Sequence, residues 1–353
     1  MRSPTSDGVV VGVGARAANG LTALQVTMSA RAQKFAPRSS HIVDKDGQSI
    51  ATARLRSIGD DVIGFDRFVA LGGPALTQAA FAWLATKPRD AAPPLPVILA
   101  LPSRSRPGFD ARLGRDLLAA LEARSRVKLD PARSEFVFGC RGGGVSAFSK
   151  ALALLEGGHC EAVLVGGIDS YFDPDTLEHL DRELRLHGPE TENGFIPGEA
   201  AAFTLVVPRR LASSVARWSA IVATASEYEP HPYGSSEPCL GAGITRAVQR
   251  AAEAGGAAAR PIPWLLTDVA NERHRVDEWL YAFTRAHAEF TPDALHEQPL
   301  LRTGDVGAAS AALLLVMASV RWQTHCAPGD TVLIATHSDG QERGAMVARR
   351  EAV

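Results

Sequence analysis

The stretch that most constrains this chain runs from Ser134 to Gly167 and reads SEFVFGCRGGGVSAFSKALALLEGGHCEAVLVGG. The apolar run over 135–138 predicts a short strand, followed by a glycine-containing turn that carries Cys140. Residues beyond the turn predict a helix of about four turns. A second apolar run over 162–165, closed by Gly166 and Gly167, predicts another buried strand. In a parallel sheet this order puts Cys140 where a strand ends and a helix begins. The partial positive charge of a helix start lowers a thiol pKa and holds an oxyanion there, so the unit points to a nucleophile.

The rest of the chain supplies similar units. Residues 9–13 predict a buried strand, 65–84 an alanine-rich helix, 96–101 a strand and 112–126 an amphipathic helix with Leu113, Leu117, Leu118 and Leu121 inward. Residues 37–57 read as polar and irregular, and the proline-rich 87–96 as an exposed connection. Beyond 210 the pattern continues with a strand over 215–225, a loop over 229–243, a helix over 244–256 and a strand over 264–269. Helices near 275–287 and over 308–320 and a strand over 331–336 complete it. Strands alternating with helices predict a parallel or mixed sheet covered on both faces, an α/β fold. Gly12, Gly14 and Gly20 suggest a dinucleotide fingerprint, but the spacing is not G-x-G-x-x-G and no acidic residue follows at the required distance.

Composition excludes several classes. With 353 residues, 46% hydrophobic and 22% charged, the chain buries a large core. A net charge of −2 gives no reason to expect nucleic acid or an anionic membrane as partner. No apolar run approaches the roughly 20 residues of a spanning helix, and the polar residues 1–8 do not read as a leader. The four cysteines, Cys140, Cys160, Cys239 and Cys326, are scattered, so reduced thiols in the cytoplasm are expected. No metal is expected: the closest histidines, His179 and His187, share at most one helical face and offer two ligands.

Three further motifs join the Cys140 unit: VVVGVGARAANG from Val9, GFDRFVALGGPALTQAAFAW from Gly64 and GFIPGEAAAF over 194–203. Taken in that order, they resemble the β-ketoacyl synthases of the thiolase-fold superfamily. The family's nucleophile turn, its opening strand and its Gly-Phe-x-Pro-Gly-Glu motif all have counterparts here. The resemblance implies two duplicated βαβαβαββ halves, 1–210 and a divergent 211–353, layered α-β-α-β-α. It also implies no cofactor, a homodimer or a heterodimer with a synthase homologue, and an acyl carrier protein as partner.

The family's chemistry uses a cysteine and two histidines, and here its positions are altered. Counted back from Gly167, the family's cysteine falls on Arg141, one residue from Cys140. Gly142, Gly143 and Gly144 are able to absorb such a shift, and Arg141 to lower the thiol pKa. The first histidine's place, in DVANERHRVDEW, falls on Val269, with His274 nearby between two arginines as a solvated turn residue or a substitute. The second, in TGDVGAASAALLL, falls on Ala308, and Thr303 takes the place of the motif's lysine. Alanine neither donates a hydrogen bond nor carries charge. HSDGQERGAMV replaces the late glycine-rich loop. Pro197, Gly198 and Glu199 keep the scaffold motif, with Glu199 expected to accept backbone hydrogen bonds near the sheet.

Two functions follow from the resemblance. In the first, the chain lacks ordinary decarboxylative condensation and acts as a chain-length-factor-like or adaptor partner. In the second, it is an acyltransferase or 3-oxoacyl synthase in which Cys140 accepts the acyl group, Arg141 or His274 replaces the histidines, and Gly142 and Gly143 supply the oxyanion hole.

Overall fold

A computed structural model describes residues 8–87, 92–188, 191–214 and 216–351. In chain order the first half contains β1 (Gly8–Ala17), α1 (Ala23–Arg31), β2 (Arg38–Val43), β3 (Ser49–Thr52), α2 (Gly64–Leu84), β4 (Val97–Ala100), α3 (Arg112–Arg115) and α4 (Leu117–Ser125). It continues with β5 (Glu135–Val137), α5 (Cys140–Glu156), β6 (Val163–Ser170), α6 (Pro174–Arg182) and β7 (Glu199–Pro208). The second half contains β8 (Ser219–Tyr228), α7 (Ala242–Ala254), β9 (Ile262–Thr267), α8 (Arg273–Arg285), β10 (Phe290–Glu297) and α9 (Leu300–Thr303). α10 (Ser310–Gln323), β11 (Thr331–His337) and β12 (Glu342–Arg350) close it.

Sheet order reveals a repeat with no counterpart in residue identity. The strands run β10-β9-β11-β12-β8-β1-β7-β6-β4-β5. Outward from the β1–β8 seam, and with the separate β2–β3 hairpin set aside, each half places the first of its five strands in this sheet, then the fifth, fourth, second and third. The seam itself is short: Gly8 to Val10 face Ile221 to Ser219.

Side-chain alternation explains how one ribbon of strands encloses helices. Val163 and Val165 of β6 and Val332 and Ile334 of β11 face a central cluster that also contains Phe148 of α5 and Leu313 of α10. Leu164 points the other way, into a cluster with α2 and α4, and Leu333 points into a cluster with α7. Strands apolar on both faces require cover on both. The result is the five-layered α-β-α-β-α arrangement, with α5 and α10 in the middle layer against strands of both halves. Gly144 permits the crossing of α5 and α10, since a Cβ there would lie 2.6 Å from that of Ala311.

Several local expectations change. The helix expected over 112–126 is broken at Asp116 into α3 and α4, with Leu113, Leu117 and Leu121 buried and Leu118 only partly so. The irregular 37–57 contains the β2–β3 hairpin. β6 continues through Gly166 and Gly167 to Ser170, because β7 pairs with it over that whole length. α1, α6, β7, α9, β10 and β12 are additions to the expected elements. His179 lies on α6 whereas His187 lies beyond its end, so the two share no helical face. The expected leader-free residues 1–7, part of the 87–96 connection and the start of the 215–225 strand lie outside the described residues. No described helix is long and apolar enough to cross a membrane.

Candidate functional site

Cys140 sits at the bend between β5 and α5, and its φ is +51°, a left-handed conformation that side chains other than glycine rarely adopt. A sharp strand-to-helix turn of this kind raises a side chain above the sheet. Cys140 opens onto a cavity of about 420 Å³ lined also by Ser103, Arg106, Tyr171, His179 and Arg185. The Arg106 guanidinium lies 3.6 Å from its Sγ. Burial nevertheless pushes the thiol pKa up, outweighing the opposing pull of Arg141 and Arg106.

Arg141 is buried among carboxylates. Its Nη1 donates to Tyr171 Oη at 3.0 Å and to Asp305 Oδ2 at 3.2 Å, its Nε to the His337 carbonyl at 3.1 Å, and its Nη2 bonds Asp339. Arg275 reaches the same Asp305 Oδ2 at 2.5 Å, and Arg185 grips Glu272 in a fork at 2.7 and 2.9 Å and Asp339 at 2.8 Å. Arg106 grips Asp169 in a fork at 2.5 and 2.9 Å, and Asp169 also accepts the Ala308 N–H at 2.8 Å. Four guanidiniums thus face Asp169, Asp305, Asp339 and Glu272, and paired forks of this kind satisfy both charges at once. Burial alone would raise the Asp305 carboxyl, but Arg141 and Arg275 more than offset it and hold the group well below the usual carboxylate range. Asp339 is held low in the same way by Arg141, Arg185 and Arg275, against its own burial.

The other expected site residues fall around this network. Val269 and Ala308, at the two histidine positions, are fully buried and apolar. His274 is the second residue of α8, stacked on Tyr233 at 4.1 Å between centroids. It is half-buried, and burial together with Arg275 pushes its pKa down to about 2, so the expected solvated turn is corrected to a neutral packed ring. Thr303 is buried and its hydroxyl bonds the Gly304 carbonyl. The Gly142 N–H donates to Ser338 Oγ at 2.9 Å and the Gly143 N–H to the Gly139 carbonyl at 3.0 Å, so neither faces a ligand oxygen.

Glu199 forms a separate site. It is wholly buried, accepts the Leu55 N–H at 2.7 Å and takes both arms of Arg67 at 2.5 and 2.6 Å. Pro197 and Gly198 lay the chain beside Asp305 and Ala53 as single bridges.

Sequence reasoning missed Arg106, Asp169, Arg185, Asp305 and the buried pair His337–Asp268, whose Nδ1 and Oδ1 are 2.6 Å apart. The arginine-rich SRSRPG loop after β4 was the one local signal available. Two groups, Glu229–Cys239–Glu278 and Glu272–His274–Asp339, bring potential metal ligands close, but in each a carboxylate is already gripped by an arginine fork.

No family profile matches the chain, and no curated protein matches it in sequence. Solved structures do. A chain of AntDE:AntF, described as a type II polyketide synthase acyl-carrier protein in complex with its ketosynthase bound to the hexaketide, superposes with a TM-score of 0.78 at 13% identity. That match covers 99% of this chain and 100% of the other. The ishigamide ketosynthase/chain length factor gives 0.79 at 14% identity, covering 99% and 100%. The ketosynthase from module 6 of the Bacillus subtilis bacillaene synthase gives 0.76 at 12% identity, covering 98% of this chain and 72% of that one. The fold is the thiolase-like fold of ketosynthases. At these identities the likeness speaks for the ketosynthase scaffold and its two halves, while the chemistry rests on the residues above.

Proposed function

We propose that the protein is a ketosynthase-fold partner without ordinary decarboxylative condensation activity, acting like a chain length factor or an adaptor, with 1–210 and 211–353 as the two halves of the duplicated unit. The observation that carries this reading is the buried arginine–carboxylate network in place of two hydrogen-bond-donating histidines. Decarboxylation needs donors aimed at a developing oxyanion. Here Val269 and Ala308 offer none, and Arg141 is bound by its own carboxylates. A synthase homologue or a second copy, and an acyl carrier protein, are the partners this reading implies, in the cytoplasm where four unpaired cysteines stay reduced. Native mass spectrometry after co-expression with a synthase homologue tests it: a stable heterodimer is expected. Cys140-dependent release of CO₂ from malonyl-coenzyme A would overturn it.

The bend at Cys140 favours a second reading, an acyltransferase in which the thiolate attacks an acyl thioester, a new thioester forms and the carrier thiol leaves with a proton. Arg106 supports it by its contact with Sγ. Intact-mass measurement after incubation with acyl-coenzyme A separates the two: an acyl adduct absent from Cys140→Ala supports transfer, and no adduct at any chain length leaves the non-catalytic reading.

A further inference from the structure

Two cavities that do not include Cys140 lie side by side, sharing a wall made by His41, Arg54 and Asp60. The first, about 430 Å³, is lined by Lys34, Arg38, Arg54 and Arg56 together with His41, and Asp60 is the single acid in its lining. Four cations against one carboxylate leave a surplus of three positive charges on a chain whose net charge is −2. Lys34 and Arg56 are exposed and make no ion pair among the described residues, and Arg38 is tied to the Phe35 and Pro37 carbonyls.

Arg54 is the built part of this site. Its side chain is 12% exposed, lies over the Phe172 ring at 4.8 Å and pairs with Asp60 at 3.1 Å. Its Nε is buried with no hydrogen-bond partner among the described residues. Burial and the neighbouring Arg67 pull its pKa down, so a further anion would relieve it. Buried donors are ordinarily satisfied, and an orphan donor on a residue that lines a cavity points to a ligand. Arginine forks match phosphate geometry.

The second cavity, about 490 Å³, has an apolar lining of Ile42, Ile50, Ile63, Phe172, Leu177 and Leu186. The acids around it are committed to local structure. Asp173 caps α6, Glu178 pairs with Arg182, Asp181 accepts the Lys45 N–H, and Asp44 closes the turn of the β2–β3 hairpin. Ile63 is 46% exposed and lines this cavity.

We propose that the joined cavities bind a small phosphate monoester carrying an apolar chain, with the phosphate on Arg54, Arg56 and Lys34 and the chain against Ile50, Ile63 and Phe172. Each cavity is of ligand size, and together they offer an anionic-head site beside an apolar one. The proposal is independent of the reading of Cys140.

Isothermal titration of the full chain with octyl phosphate, inorganic phosphate and octyl glucoside tests it. Octyl phosphate should bind at one site, about tenfold or more tighter than either control, because only it fills both cavities. Lys34→Gln/Arg56→Gln, two exposed side chains without ion-pair partners, should weaken that binding about tenfold while leaving thermal stability unchanged. Ile63→Asp should weaken octyl phosphate and spare inorganic phosphate. Equal affinity for the three probes, or indifference to the double substitution, would overturn the proposal. So would binding to phosphatidic acid vesicles without binding to octyl phosphate, which would make the surface a membrane contact.

Discussion

Two buried arginine sites, little more than one strand pairing apart, handle charge in opposite ways. Arg67 and Glu199 are both fully buried, and each carboxylate oxygen meets one arm of the guanidinium. The Arg141 network instead shares Asp305 between two arginines and ends at Asp339, which is 36% exposed at the Cys140 cavity. One site is a closed pair that fixes the sheet to α2. The other is a branched set in which Asp305, Asp339 and Glu272 each meet more than one arginine. Redundancy and a wet edge are what distinguish a filled pocket from a structural staple.

The largest expected effect breaks the closed pair. Arg67→Ala leaves Glu199 in the core with only the Leu55 N–H and the Ser170 hydroxyl and no opposing charge on it, and should cost about 3–5 kcal/mol in chemical denaturation. Arg141→Ala should cost measurably less in the same assay, because Arg275 still compensates Asp305. An equal loss in both variants would erase the distinction.

Acid sharpens it next. Asp305 and Asp339 titrate lower folded than unfolded, so their stabilisation is present above about pH 4 and fades as pH falls through the folded values. The unfolding free energy should therefore decline on acidification below about pH 4. In Arg141→Ala the decline should be smaller and should level off at higher pH, since one of the groups holding both carboxyls low is gone and their folded values move toward the unfolded one. Asp339→Asn, at the exposed end, should shift stability by only about 1 kcal/mol.

The smallest effect concerns the thiol. Cys140 alkylation by iodoacetamide should rise with pH with its midpoint above that of a free cysteine, because burial outweighs both arginines. A midpoint below that of free cysteine would show a thiolate and favour acyl transfer.

Much of this architecture is legible in the chain because it is local. The 134–167 unit, the helix that became α2 and the apolar runs of β1, β4 and β9 announce themselves by period and by glycine. β10 hides because Pro292, Asp293 and His296 interrupt its pattern, as an edge strand tolerates. The Arg141 network hides for another reason. Arg275, in an Arg-His-Arg run that reads as solvated, is buried by its contact with Asp305, 30 residues away. Nothing in its neighbourhood marks that partner. The position of Cys140 at the bend likewise depends on one dihedral, which a count of residues from Gly167 does not contain.

The seam between the halves has a consequence for how such a chain is made. β1 is synthesised long before its partners, yet it pairs along its length with β7 and at its start with β8. Its partners end at Pro208 and begin at Ser219, roughly two hundred residues later. A ribosome adding about 5–20 residues per second leaves this valine-rich strand without its partners for on the order of ten seconds. Contacts so distant in sequence slow folding, and an unpaired apolar strand invites association with other chains. Yield of native protein should therefore depend on elongation rate and on chaperone supply more steeply than its finished stability would suggest.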